Sequence, residues 1–227
     1  MLIFLPTVKK QIMKKVLVLF FILITGFSYA DSPLTSTDFS DVYSEEKMII
    51  HIKKKGLDKK AMKYLLSAKG NPVIKVAMIN AIGFGQVDLI DQFETYLLKK
   101  RKGLKTEVFD YLRIATNGEP EPNAQTDLLT ADDLTCWAYL LALGEYNKPE
   151  LAGTAAYLGY IRDTGSMAHK TVLGLIACQI AFDYSWCNVY KIGKEVFEDT
   201  QYEHNKLSAE AVGIIMDYLG LYKDSCE

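Results

Sequence analysis

The chain has 227 residues, 49% of them hydrophobic and 24% charged, with 26 Lys/Arg against 28 Asp/Glu. That length supports one domain with a substantial core, and the balance lacks the domain-wide basic excess of a nucleic-acid binder. The charge is laid out unevenly: residues 31–118 hold 15 Lys/Arg against 11 Asp/Glu, and residues 119–227 hold 7 against 17. Such a dipolar molecule is steered toward charged partners.

The first stretch reads as a processing segment. Lys14 and Lys15 precede the unbroken apolar run from Val16 to Ile24, and Ser28 and Ala30 put small residues ahead of Asp31. The pattern predicts a cleavable signal peptide over residues 1–30 that opens at Met13. The run is shorter than the roughly 20 apolar residues a membrane span needs. The expectation is an exported protein, periplasmic or secreted, with residues 31–227 forming one domain.

Beyond that segment every periodicity is helical. Thr37 or Ser40 can cap a first helix that carries Phe39, Val42, Tyr43, Ile49 and Ile50 inward and ends at Lys53-Lys54-Lys55-Gly56. Asp58 can cap a second, with Ala61, Met62, Leu65 and Leu66. Residues 71–100 then read as a helix pair. Pro72 sits in the first turn, where its missing N–H costs nothing, and Val73 to Ile82 are apolar around nearly the whole circumference. Gly83 and Gly85 stop that helix, and Leu89, Ile90, Phe93, Tyr96 and Leu97 line one face of the next. A further helix carries Val108, Phe109, Leu112 and Ala115.

Composition breaks at residues 118–127, GEPEPNAQTD, and a hinge-like loop is expected near 118–130. Thr130 and Asp133 then form a capping-box pattern ahead of Leu134, Trp137, Ala138, Leu141 and Ala142. Pro149 opens a helix whose Ala152, Gly153, Ala155, Ala156 and Gly159 allow close approach of a neighbour. TVLGLIACQIAF is the most apolar stretch after residue 31 and reads as core. Ser185 can restart a helix at Trp186, and a last helix covers about residues 206–222.

Cys136, Cys178, Cys187 and Cys226 are an even set in an exported chain, so disulfides are expected. Cys187 begins one helix and Cys226 follows the last, so a bond from Cys187 to Cys226 or to Cys178 is favoured; Cys178 also fits a buried apolar role. No Cys-x-x-Cys occurs, and His51, His169 and His204 are widely spaced along the chain, so neither a metal site nor a cofactor is implied. The basic runs Lys53–Lys55 and Lys99–Lys102 precede glycines at helix ends, where cations complement the helix dipole; binding of an anionic lipid or partner is the functional alternative.

Pro72, Ala77, Ala81-Ile82-Gly83 and the helix from Leu89 to Leu98 resemble a HEAT-type repeat. A second copy over residues 137–163 has Ala138, Ala142-Leu143-Gly144 and the helix begun by Pro149, but no counterpart of the basic Lys75. YLGYIRDTGSMAHK gives a tetratricopeptide or Sel1-like alternative. The helical periodicity along the chain predicts an all-α fold of about ten helices, and the resemblance implies a short right-handed α-solenoid or HEAT-like stack of helix pairs serving as a protein-binding scaffold without catalysis.

The expected function is therefore an exported, non-enzymatic protein-binding module, with an inhibitor or immunity-type protein as its specific form and a basic protein as partner. The expected partner site is the acidic loop with its flanking aromatics: Glu119, Glu121, Asp127, Asp132, Asp133, Trp137 and Tyr139. The aromatics Tyr139, Tyr146, Tyr157, Tyr160, Phe182, Tyr184, Trp186 and Tyr190 crowd one third of the chain and give a further candidate surface. The alternative is an all-α envelope enzyme acting on glycan or peptidoglycan, with its two carboxyls drawn from Asp132, Asp133, Asp183 and Glu210.

Overall fold

The computed structural model describes residues 32–114, 124–199 and 201–227; the expected signal peptide, residues 1–30, lies outside them. The folded unit, Ser32–Glu227, is all-α. Among the described residues there are ten α-helices and no strands: α1 Lys47–Lys55, α2 Lys59–Leu65, α3 Pro72–Ile82, α4 Asp88–Lys100, α5 Glu107–Ile114, α6 Ala131–Gly144, α7 Glu150–Arg162, α8 Met167–Phe182, α9 Trp186–Phe197 and α10 Ala209–Leu219. Short 3-10 turns stand at Phe39–Tyr43, Thr126–Leu128 and Gly220–Cys226. None of these helices is long and apolar enough to cross a membrane.

Three helices that are apolar around their circumference form the inside. In α3 every residue from Val73 to Asn80 is buried, and in α6 every residue from Asp133 to Leu143. α8 is the third, and all three touch one another. Strongly amphipathic helices, α1, α4, α5 and α9, each turn one stripe toward this centre. The small residues of α7 let it lie close on α6: a Cβ at Gly159 would stand 2.5 Å from Thr135 Oγ1.

Local chemistry sets most helix starts. Asp58 accepts from the Lys60 and Ala61 amides, Asn71 from Val73, and Ser208 from Ala211. The capping box at Thr130 and Asp133 is complete in both directions. Gly83 and Gly85 take φ of 77° and 78°, which ends α3 and turns the chain so that the Gly85 amide donates to Leu143 O.

The first helix departs from expectation. It is broken into the Phe39–Tyr43 turn and α1 at residues 44–46, and the Asn80 side chain holds the start of the turn: its amide donates to Thr37 O, and its carbonyl accepts from Ser40 N at 2.9 Å. Ile50, expected inward, is 40% exposed, and Ile52 takes the inner face instead. Thr126 and Leu129 are buried, and Leu129 O accepts from the Arg162 guanidinium.

The two ends of the unit meet. α10 packs on the Phe39–Tyr43 turn, where the Ser208 amide donates to Tyr43 Oη at 3.0 Å, and the Leu34 amide donates to Gln179 Oε1 in α8.

Candidate interaction surface

The acidic-aromatic set expected around the loop is distributed between surface and core. Glu119 and Glu121 lie outside the described residues. Asp127 is exposed and stands 3.5 Å from the Arg162 guanidinium. The rest turn inward. Asp132 Oδ2 accepts from Lys75 Nζ at 2.5 Å, and Lys75, itself 1% exposed, also donates to Ser67 O. Asp133, 1% exposed, holds Arg101 through two bonds of 2.7 and 3.0 Å while closing the capping box. Trp137 is 1% exposed; its indole N–H donates to Glu94 Oε1 at 2.9 Å, and the Arg113 guanidinium lies over its ring. Tyr139 is fully buried and its hydroxyl accepts from Asn80 Nδ2. Burial pushes the Glu94 carboxyl and the Tyr139 phenol above their usual pKa ranges. Trp137 and Tyr139 thus present no face to a partner, and Asp132 and Asp133 bind cations of their own chain.

Histidines far apart in sequence also converge. His169 Nδ1 lies 2.9 Å from Thr135 Oγ1, and its Nε2 stands 3.5 Å from Asp132 and 3.6 Å from Asp163. His204 Nε2 meets the other side of Asp163 at 2.8 Å. Hydroxyl, imidazole and carboxylate in line is the geometry of an activated nucleophile. Here Thr135 and His169 are 1% and 2% exposed, and the backbone of α7 at Gly159 covers the hydroxyl, so no substrate reaches it. Desolvation holds the His169 pKa below its ordinary value despite the two carboxylates. Among the described residues no group of His, Cys, Asp and Glu is arranged to hold a metal ion.

The chain exposes aromatic rings at the opposite end of α8. Phe182, its last residue, stacks on Trp186 at 6.4 Å between centroids and meets Tyr222 edge-on at 5.7 Å. Trp186 and Tyr222 are 6.1 Å apart, and the Tyr218 and Tyr222 hydroxyls bond at 2.7 Å. Trp186 is 56% exposed, Tyr184 85% and Leu221 68%. The tight turn between α8 and α9, in which the Tyr184 and Ser185 amides both donate to Ala181 O, sets Tyr184 at its tip. Ser185 then caps α9 and places Trp186 in its first turn.

A disulfide joins Cys187 to Cys226, with Cα atoms 4.7 Å apart, and so fixes the Gly220–Cys226 turn carrying Tyr222 against the start of α9. Cys136 and Cys178 are free and buried, and burial pushes the Cys178 thiol up to about 12. Exposed carboxylates at Asp183, Asp217, Asp224 and Glu227 belong to the segments that carry the rings. Phe182, Tyr184 and Trp186 were legible as candidates from aromatic crowding. Tyr218 and Tyr222 were not, and the signal that would have added them is their position just before Cys226.

No protein-family profile, curated protein or solved structure matches the chain.

Proposed function

We propose that this is an exported, non-enzymatic protein-binding module, built from HEAT-like helix pairs, that anchors a basic partner protein on the aromatic platform of Phe182, Tyr184, Trp186 and Tyr222. The observation that carries this reading is the exposure of Trp186 on a disulfide-tied ring cluster, with Tyr184 exposed on the adjoining turn, because large rings left in water on a rigid support are the usual anchors of interfaces. The platform's carboxylates suit a basic partner of an inhibitor or immunity-type protein and would steer its approach. The disulfide supports an oxidising, exported setting.

The test replaces Tyr184 with the photocrosslinking residue p-benzoylphenylalanine in the host's envelope, with the same replacement at exposed Lys55 as the reference. One protein crosslinked from position 184 and absent from position 55, lost on Trp186→Ala and weakened by salt, is the expected result. Equal, diffuse crosslinking from both positions overturns the proposal.

A further inference from the structure

A second feature lies in the basic half of the sequence and is independent of the platform. Between α2 and α4 is an open groove of about 280 Å³, lined by Lys59, Lys63, Leu66, Tyr96, Lys99 and Lys100. Its apolar surface comes from Leu66, Tyr96 and the lysine stems; the four lysines are exposed, and the Lys99 ammonium lies over the Tyr96 ring. No carboxylate lines it, and among the described residues none of the four lysines has one within 4.0 Å.

Helix electrostatics account for only part of this gathering. Lys63 lies in the last turn of α2, and Lys99 and Lys100 in that of α4, where cations are favoured. Lys59 is the first residue of α2, where a cation opposes the dipole, and it stands one turn from Lys63, a repulsive spacing for like charges. The neighbouring Asp58 makes no ion pair with it: its carboxylate caps α2 and bonds His51. The other basic run behaves differently. Lys53 is paired with Asp41 and lines a separate hollow with Leu57, Ala81 and Leu89.

We propose that this groove binds an anionic amphiphile, a single phosphate or carboxylate head carried on an alkyl chain. The head is held among Lys59, Lys63, Lys99 and Lys100, and the first carbons lie on Leu66 and Tyr96. Both halves of that chemistry match the lining: the lysines attract the head, and the alkyl chain covers what Tyr96, Leu66 and the lysine stems leave exposed. The groove is near the lower end of small-ligand sites in size, which suits one chain rather than a protein surface.

Titration calorimetry on the disulfide-intact protein tests this with dodecyl phosphate below its micellar concentration, inorganic phosphate and dodecyl maltoside. Dodecyl phosphate should bind at least tenfold more tightly than either of the others. Lys63→Gln with Lys99→Gln should weaken it tenfold or more, while Lys191→Gln with Lys194→Gln on α9 leaves it unchanged. Amide chemical-shift changes in the wild-type protein should be confined to α2 and α4, a readout that needs no variant to fold. Equal binding of inorganic phosphate, equal binding of dodecyl maltoside, or shift changes centred elsewhere each overturns the proposal.

Discussion

Two aromatic groups in this chain have similar composition and opposite fates. Trp137 and Tyr139 sit in α6, which touches α2, α3, α4, α7 and α8, so each ring is enclosed and each polar tip has a partner in Glu94 or Asn80. Phe182, Tyr184, Trp186 and Tyr222 sit where α8 gives way to α9 and the closing turn, and part of each edge remains in water. Residue type does not separate the two groups; the number of helices surrounding them does. One group holds the fold together, and the other is held by it.

The sharpest way to break this contrast is Trp137→Ala. Truncating a buried tryptophan costs about 3–5 kcal/mol, and leaving Glu94 without its indole donor adds to that. Chemical denaturation should show the midpoint fall by that amount. A loss below about 1 kcal/mol would mean that α6 is not the centre of the core.

Lys75→Met probes the same centre through charge. The ammonium is buried against Asp132 and Ser67 O, and removing one member of such a pair costs about 3–5 kcal/mol. Because Asp132 retains some contact with water, the lower end is expected here. Adding Asp132→Asn should recover part of the loss, and strictly additive losses would mean the pair is not coupled.

These pairs mark the limit of what was legible from sequence. The capping box at Thr130 and Asp133, the Asp58 cap, the stop at Gly83 and the buried run of α3 are local patterns, and each is present. Asp132 and Asp133 read as acids facing a partner because their cations, Lys75 and Arg101, lie 57 and 32 residues away. Asn80, which holds the start of the first turn, acts on Thr37 from 43 residues away. The same distance hid Tyr222. Of the platform, the reading reached what adjacency carries, Phe182 to Trp186, and the reach of Cys187 to Cys226. The ring brought in by that bond depended on tertiary packing.

Removing the bond sharpens the comparison from the other side. Cys226→Ser should cost about 2–4 kcal/mol by freeing the closing turn in the unfolded chain. It should also raise iodide quenching of Trp186, read in a Trp137→Phe background, while the platform's rings lose their support. In the native wild type the buried Cys136 and Cys178 thiols should react slowly with a thiol reagent, since burial disfavours both thiolates. Fast labelling of either would place it at a surface.

A smaller effect is expected from pH. The folded state holds His169 below its ordinary pKa, so the unfolded chain takes up the proton first. Its contribution is therefore intact above about pH 6.5 and is lost as the pH falls through the folded value. Asp132 and Asp163 face the ring and oppose the shift, while Lys75 and His204 reinforce it. The denaturation midpoint should decline between pH 7.5 and 5.5, and His169→Gln should flatten that decline. Glu94, whose pKa is raised by burial, acts in the opposite sense at lower pH. An identical decline in the variant would assign it to other groups.

The smallest stability effect belongs to Trp186→Ala, the counterpart of the first substitution. The ring is more than half in water, and what it loses is contact with Phe182 and Tyr222, pairs worth about 0.5–1.5 kcal/mol each when well formed and less at an exposed edge. The midpoint should therefore move by about 1 kcal/mol or less. Partner capture should move much more: an aromatic anchor at the centre of an interface contributes about 2 kcal/mol or more, which is roughly a thirtyfold loss. Trp186→Phe keeps the stack on Phe182 and should restore part of the capture. A midpoint that falls as far as for Trp137→Ala would make the platform an extension of the core. Unchanged capture with an unchanged midpoint would leave the rings exposed without a role in recognition, and the proposed surface would have to be abandoned.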